Sequence, residues 1–253
     1  MSFKRNKKKV IEMYAEEKLV LTNFMKTNLT PLPVRAAFLR VVAIMGVMVL
    51  ATSTLAKEPL PAPWEHQDIG SAQVPGTVRY AAGIFILQGT MDLWGTNDGG
   101  HIAFQPWRGD VELVARVTTM DNPGGMAHAK ASLCIRESLS AGSRHVTICI
   151  TPTDGTQFIY RDRSNAKATR IFADADAQKS SVPKGQFPCW LKIVRRGNVF
   201  TGYESVDGEH WLPSEPVTLD LAADTVVGLA ASSHKTNILT TATFDHVMLS
   251  HPE

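Results

Sequence analysis

Cysteine is scarce in this chain of 253 residues: there are three, and none sits in a C-x-x-C pair. That excludes a redox dithiol and a thiolate zinc cage. The eight histidines are scattered without metal-ligand spacing, and there is no H-E-x-x-H, no G-x-S-x-G and no phosphate-binding glycine loop. Zincin, serine-hydrolase and nucleotide-binding chemistries therefore have no support. The paired-acid string E-x-D-x-x-E, which would set two carboxylates on one strand face for glycoside cleavage, is also missing. No apolar run approaches the roughly 20 residues that a membrane-spanning helix needs. The longest is the eleven-residue stretch VVAIMGVMVLA at 41–51.

Positive charge is lacking where a polyanion binder would need it. Residues 1–56 hold nine Lys or Arg against three Glu, which leaves 17 basic and 21 acidic side chains for the rest. All 13 aspartates fall in that second part. A mildly acidic domain without a basic run does not suit phosphate backbones, so nucleic acid is not an expected partner.

The apolar run at 41–51 follows Arg35 and Arg40 and precedes the small, polar ATSTLA. This is the order of a secretory signal: positive region, short apolar core, small-residue cleavage site. Cleavage is expected after Ala56, which predicts export to the periplasm or beyond and no membrane contact past the signal segment. A retained signal anchor is the alternative. About 40 residues precede the run, and Met25 followed by Lys26 offers a start of more usual length. The expected organisation is an extension and signal at 1–56, a proline-rich linker at 57–63 and one domain at 64–251.

From Trp64 onward no helical periodicity is evident. Short alternating runs rich in β-branched and aromatic residues are separated by Gly, Asp, Asn and Pro, the pattern of a β-sandwich or barrel. Strands are predicted at 77–81, 83–88, 101–105, 110–119, 129–138, 144–151, 156–162, 189–196, 198–205, 217–220, 225–233 and 241–249. Gly197-Asn198, Asp207-Gly208 and Thr153-Asp154-Gly155 carry tight-turn chemistry. So many strands bury their faces best as two antiparallel sheets packed together.

Alternation also assigns faces. In KASLCIRES, Ala131, Leu133 and Ile135 point inward, leaving Lys130, Ser132, Cys134 and Arg136 outward. In RHVTICIT, Val146, Ile148 and Ile150 are core and His145, Thr147, Cys149 and Thr151 face out. In DVELVARVT, Leu113, Ala115 and Val117 go in, while Glu112 and Arg116 go out. In TQFIYRD, Phe158 and Tyr160 go in, while Gln157, Ile159 and Arg161 go out. If these strands are neighbours, one wet face carries Glu112, Arg116, Arg136, His145 and Arg161 as a ligand-binding surface. The same alternation pairs Cys134 with Cys149 across the hairpin LSAGS, neighbours that an oxidising compartment could bridge. At the roughly 4.5–5.5 Å of directly paired Cβ atoms, though, a disulfide needs strain or a local twist. Cys189 is left over.

Across 64–250 the succession DIG (68–70), DLWGTND (92–98), IRESL (135–139), GNVFTGYESVDGEHW (197–211), VVGLAASSH (226–234) and ATFDHV (242–247) resembles a family of exported bacterial jelly-roll domains. That family is related to the lectin-like C-terminal domain of β-xylosidases and to laminin-G-like modules. The resemblance implies a concanavalin A-like two-sheet antiparallel jelly-roll sandwich and no established activity. It also brings calcium into view as a cofactor, because such domains hold it at the sheet rim. Loop residues Asp92, Asn97, Asp98, Asp121 and Asn122 are the candidate ligands, with Asp92 and Asp98 foremost.

Trp94 and Trp107 lie in glycine-rich, polar context and are candidates for stacking on a sugar ring. Trp190 and Trp211 are expected in the core. His234 ends a strand and is placed at the rim of the arginine face. Glu137 has no acidic partner near it in sequence, though Asp92 or Asp245 could meet it in space. The expected partner is a glycan or other cell-surface polymer, bound without catalysis. A glycoside hydrolase or lyase with dispersed carboxylates, or a purely structural envelope protein, stands as the alternative.

Overall fold

The computed structural model describes residues 59–171 and 182–253. The signal segment, the cleavage position after Ala56, the start at Met25 and the first linker residues lie outside the described residues. Among the described residues there are strands and no helix, hence no helix long and apolar enough to cross a membrane.

The strands are β1 (Glu65–Ile69), β2 (Thr77–Ala81), β3 (Ile84–Met91), β4 (Gly100–Arg108), β5 (Val111–Asp121), β6 (Lys130–Arg136), β7 (His145–Thr151), β8 (Gly155–Arg161), β9 (Thr169–Ile171), β10 (Cys189–Arg196), β11 (Val199–Ser205), β12 (Leu212–Pro213), β13 (Val217–Thr218), β14 (Asp224–Ser232) and β15 (Lys235–Ser250). They form two antiparallel sheets. One has seven strands in the order β1-β4-β14-β6-β7-β8-β9; the other has eight, β12-β11-β10-β5-β15-β3-β2, with β13 paired to β11. The fold is the two-sheet jelly-roll sandwich expected from the strand pattern.

The inward sets read from alternation form the core. Leu113, Ala115 and Val117 of β5 meet Leu133 and Ile135 of β6, Ile148 and Ile150 of β7, and Phe158 of β8 in one cluster. Burying a large aliphatic side chain is worth roughly 1.5–3 kcal/mol, so these rows hold the sheets face to face. Turn chemistry then sets the hairpins. Arg196 pairs with Val199, so Gly197 and Asn198 form a two-residue turn with Gly197 at φ 58°. Thr151 pairs with Gly155, whose φ of 70° suits glycine.

Two expectations about strand placement are corrected. Glu112 and Arg116 lie on β5 in the eight-stranded sheet, so they cannot share a face with Arg136, His145 and Arg161 of the seven-stranded sheet. Alternation decides which side of its own strand a residue takes, not which sheet the strand joins. The hairpin register also differs: Cys134 stands opposite Thr147, and Cys149 opposite Ser132. The two cysteines are therefore diagonal neighbours, about 7–8 Å apart in such a pair, too far for the roughly 3.8 Å of a disulfide. Cys134, Cys149 and Cys189 are buried free thiols, and burial pushes each up to about 12.

Trp190 and Trp211 depart from the core as well. Both are half-buried, with Arg116 over the Trp190 ring at 5.7 Å and Lys192 over the Trp211 ring at 4.4 Å. Long cationic stems cover the aromatic faces there in place of a second layer of protein.

Candidate functional site

The outer face of the seven-stranded sheet is built of rows that run across β6, β7 and β8. Arg136, His145 and Arg161 stand side by side; the next row is Cys134, Thr147 and Ile159, and the next Ser132, Cys149 and Gln157. Lys130 lies at the far end, where β6 begins. The segment 92–99 between β3 and β4 crosses this face and treats its two ends differently.

At one end it closes the sheet off. Arg136, His145 and Arg161 are 1%, 0% and 0% exposed, which corrects the expectation of a wet arginine face. Asp98, also 0% exposed, comes down from the crossing segment onto them. Arg161 donates through Nη2 to Oδ1 at 2.7 Å and through Nη1 to Oδ2 at 2.9 Å, while Arg136 Nη1 donates to Oδ2 at 2.7 Å. The remaining guanidinium donors reach backbone carbonyls of Ser138, Ser140, Ala166 and Gly95. Burial alone would raise the Asp98 carboxyl; the hydrogen bond from Arg161 and the charges of the Arg136 and Arg161 guanidiniums hold it below its ordinary value. Burial pushes the His145 ring down to about 3, so it is neutral near pH 7. Its Nε2 lies 3.4 Å from Asp98 Oδ2 and makes no hydrogen bond. This cluster is a clamp between a loop and a sheet, with no room for a ligand.

At the other end the same segment leaves a cavity of about 270 Å³. Trp94, Asp92 and His234 form one side, Lys130 and Gln157 come from the sheet, and His128 and Arg170 complete the lining. Trp94 packs on Cys149, Ile159 and Ala168, which fixes its ring over the sheet. Asp92 accepts from Lys130 Nζ through Oδ1 and from His234 Nδ1 through Oδ2, the latter at 2.7 Å. Lys130, 3% exposed, also donates to the His128 carbonyl at 3.0 Å. Asp154, on the β7–β8 turn, plays the matching part for the other side: its Oδ2 lies 3.2 Å from His128 Nδ1, 3.1 Å from Gln157 Nε2 and 3.6 Å from Arg170 Nη1. The His128 and His234 rings meet edge to face, at 5.4 Å between centroids and 70° between planes.

A second depression of about 340 Å³ adjoins the first and shares Asp92, Trp94 and His234 with it. Backbone strain marks the shared wall. Met91 and His234 both hold left-handed φ, 64° and 61°, where the His234 amide donates to the Met91 carbonyl at 2.6 Å. Non-glycine residues in this region cost of order 1–3 kcal/mol each and concentrate at functional sites.

Of the residues singled out from sequence, the structure brings together Asp92, Trp94 and His234. It places Arg136, His145, Arg161 and Asp98 in the clamp. Arg116 lies in the other sheet, bonded to Asp245 at 2.8 and 2.5 Å, and Glu112 lies on the same strand. Trp107 is elsewhere on β4, its Nε1 donating to the Asp110 carbonyl. Lys130 and Gln157 were legible as outward residues. His128 and Arg170 were missed, the second because β9 is three residues long and carries no period to detect.

The calcium ligands suggested by the loops do not fit that ion. Both oxygens of Asp92 and of Asp98 are taken by Lys, His or Arg donors of the chain, and Asn122 folds onto its own loop, exchanging hydrogen bonds with Met126. Calcium needs six to eight oxygens. Among the described residues no group of three or more His, Cys, Asp or Glu is arranged to hold a metal.

Comparison with protein-family models and with curated proteins gives no match. Among solved structures, a functionally unknown protein from Saccharomyces cerevisiae is similar with TM-score 0.55 at 16% identity, over 74% of this chain and 97% of that one. The GH43 protein BlXynB from Bacillus licheniformis gives TM-score 0.49 at 14% identity over 74% of this chain, which spans 39% of that protein's length. Lectin II from Ulex europaeus gives 0.49 at 10% over 76% of this chain and 94% of that one. At such identities the likeness is one of fold.

Proposed function

We propose that this chain is an exported, non-catalytic module that binds a glycan in the cavity beside Trp94. The observation that carries the reading is the cavity itself, in which one indole face stands among hydrogen-bonding groups that converge from three strands and three loops. An aromatic face for the apolar side of a pyranose, with polar groups to fix its orientation, is the chemistry of sugar recognition. The two adjoining depressions give room for consecutive sugar units with Trp94 between them. The carboxylates weighed for catalysis support binding over hydrolysis. Glu137 is held by Arg144, Asp92 by Lys130 and His234, and Asp245 by Arg116, in three separate ion pairs. The expected mature start near Lys57 belongs to this proposal.

A glycan array probed with the protein and with Trp94→Ala tests it. Loss of the indole is expected to weaken capture per folded molecule roughly ten-fold or more, which corresponds to about 1.4 kcal/mol or more. It is expected to lower the thermal midpoint as well, because the ring packs on Cys149, Ile159 and Ala168. An array on which wild type and Trp94→Ala behave alike would overturn the assignment.

A further inference from the structure

Resting on that reading of the cavity, we infer that the glycan is acidic, bearing uronate carboxylates, and that His128 and His234 link its capture to proton uptake. The fixed charges around the two depressions come from five elements. Lys130 of β6, Arg170 of β9 and Lys235 of β15 are positive; Asp92 after β3 and Asp154 on the β7–β8 turn are negative. Among the described residues these charges sum to one positive before the histidines are counted.

The carboxylates, moreover, are turned inward. Asp92 spends its oxygens on Lys130 and His234, and Asp154 spends its own on His128, Gln157, Arg170 and Thr153. A neutral sugar, whose hydroxyls must donate as well as accept, finds both carboxylates already engaged. A carboxylate needs only donors. Lys130 has three and uses two, on Asp92 and on the His128 carbonyl.

Each imidazole is held at Nδ1 by its own carboxylate, and neither Nε2 has a hydrogen-bond partner among the described residues. With Nδ1 carrying the proton, Nε2 is an acceptor; a second proton makes it a charged donor. A bound carboxylate favours that second proton, so binding draws protons in. By linkage, affinity rises as pH falls, for as long as the sugar carboxylate itself stays ionised. The two imidazoles act as the variable part of a charge that Lys130 and Arg170 begin.

The test is titration calorimetry on the full chain at pH 7.5 and 5.5, in two buffers of different ionisation heat. The probes are oligogalacturonate, oligomannuronate and glucuronoxylan oligosaccharides, each beside its neutral methyl ester. At least one acid form is expected to bind roughly ten-fold or more tighter than its ester. Its affinity should gain a further several-fold at pH 5.5, with net proton uptake. His128→Gln and His234→Gln should keep the fold, read by circular dichroism, and flatten that pH dependence. Equal binding of acid and ester, or acid binding without proton uptake, overturns the inference while leaving glycan binding intact. If neutral glycans are captured on the array and no acidic probe binds, it is overturned too. If no glycan of either kind binds, the functional reading beneath it has failed.

Discussion

One sheet face carries two groups of charged residues within a few strands of each other, and a single crossing segment gives them opposite fates. At the closed end, Asp98 meets Arg136 and Arg161 with every partner at 0–1% exposure. At the open end, Asp92 meets Lys130 and His234 with the carboxylate 23% exposed and the imidazole 42% exposed. The same pairing chemistry serves as a clamp where water is excluded and as the wall of a cavity where it is admitted. Charge content therefore does not locate a ligand site in this fold; the cover over the charges does.

The comparison breaks most visibly if the clamp is opened. Asp98→Asn leaves two guanidiniums buried with their countercharge removed, and an uncompensated buried charge costs roughly 3–5 kcal/mol. Asp92→Asn frees half-exposed His234 to turn to water but leaves Lys130, 3% exposed, with its countercharge removed. It is expected to cost less than opening the clamp, roughly 1–3 kcal/mol. Urea denaturation of both variants measures the difference. Equal losses would show that the two ends are not distinct.

Acid sharpens the same contrast. The folded-state value of His145 is pushed down to about 3 by burial, so the unfolded chain takes up its proton first. The stability tied to neutral His145 is therefore complete above the ordinary histidine value near 6.5 and is lost as pH falls toward about 3, at up to about 1.4 kcal/mol per pH unit. Asp98, held below its usual value, adds to the loss only below about 3.8. Urea midpoints at pH 7, 5.5 and 4.5 should decline, and His145→Gln should flatten the decline. An unchanged slope in the variant would place the acid sensitivity elsewhere.

Much of this face was legible in the sequence, and the reasons for the misses are specific. Period-2 alternation put Arg136, His145 and Arg161 on one side because β6, β7 and β8 are consecutive hairpin strands. It could not say that the row is dry, since its cover arrives from Asp98, 38 residues before Arg136 and 63 before Arg161. Nor could it exclude Arg116, whose strand alternates in the same way but pairs with β10 and β15. The observed hairpin register lies two residues from the one that pairs Cys134 with Cys149; a two-residue shift keeps the core residues inward, so parity alone cannot choose between the two. Asp92, Trp94 and His234 were each recognised, for different reasons; their convergence depends on β3 meeting β15, a contact 142 residues apart in sequence for Asp92 and His234.

The smallest effect expected comes from the arginine that alternation misplaced. Arg116 forms a two-point pair with Asp245, close in geometry to the Arg161–Asp98 contact, but with 30% and 17% of the side chains exposed in place of none. Its guanidinium also lies over the Trp190 ring. An ion pair that water reaches is worth about 0.2–1 kcal/mol, and an exposed cation–π contact adds about 0.5–1 kcal/mol. Arg116→Ala should therefore lower stability by roughly 1 kcal/mol, well under the Asp98→Asn loss, and should leave glycan capture unchanged because the residue lies on the other sheet. Raising the salt from 0.05 to 0.5 M should erase part of the Arg116 effect while leaving the Asp98 effect nearly intact, since screening acts on solvated charges and hardly on buried ones. A loss of binding in Arg116→Ala would instead tie the two outer faces together and undo the separation on which the comparison rests.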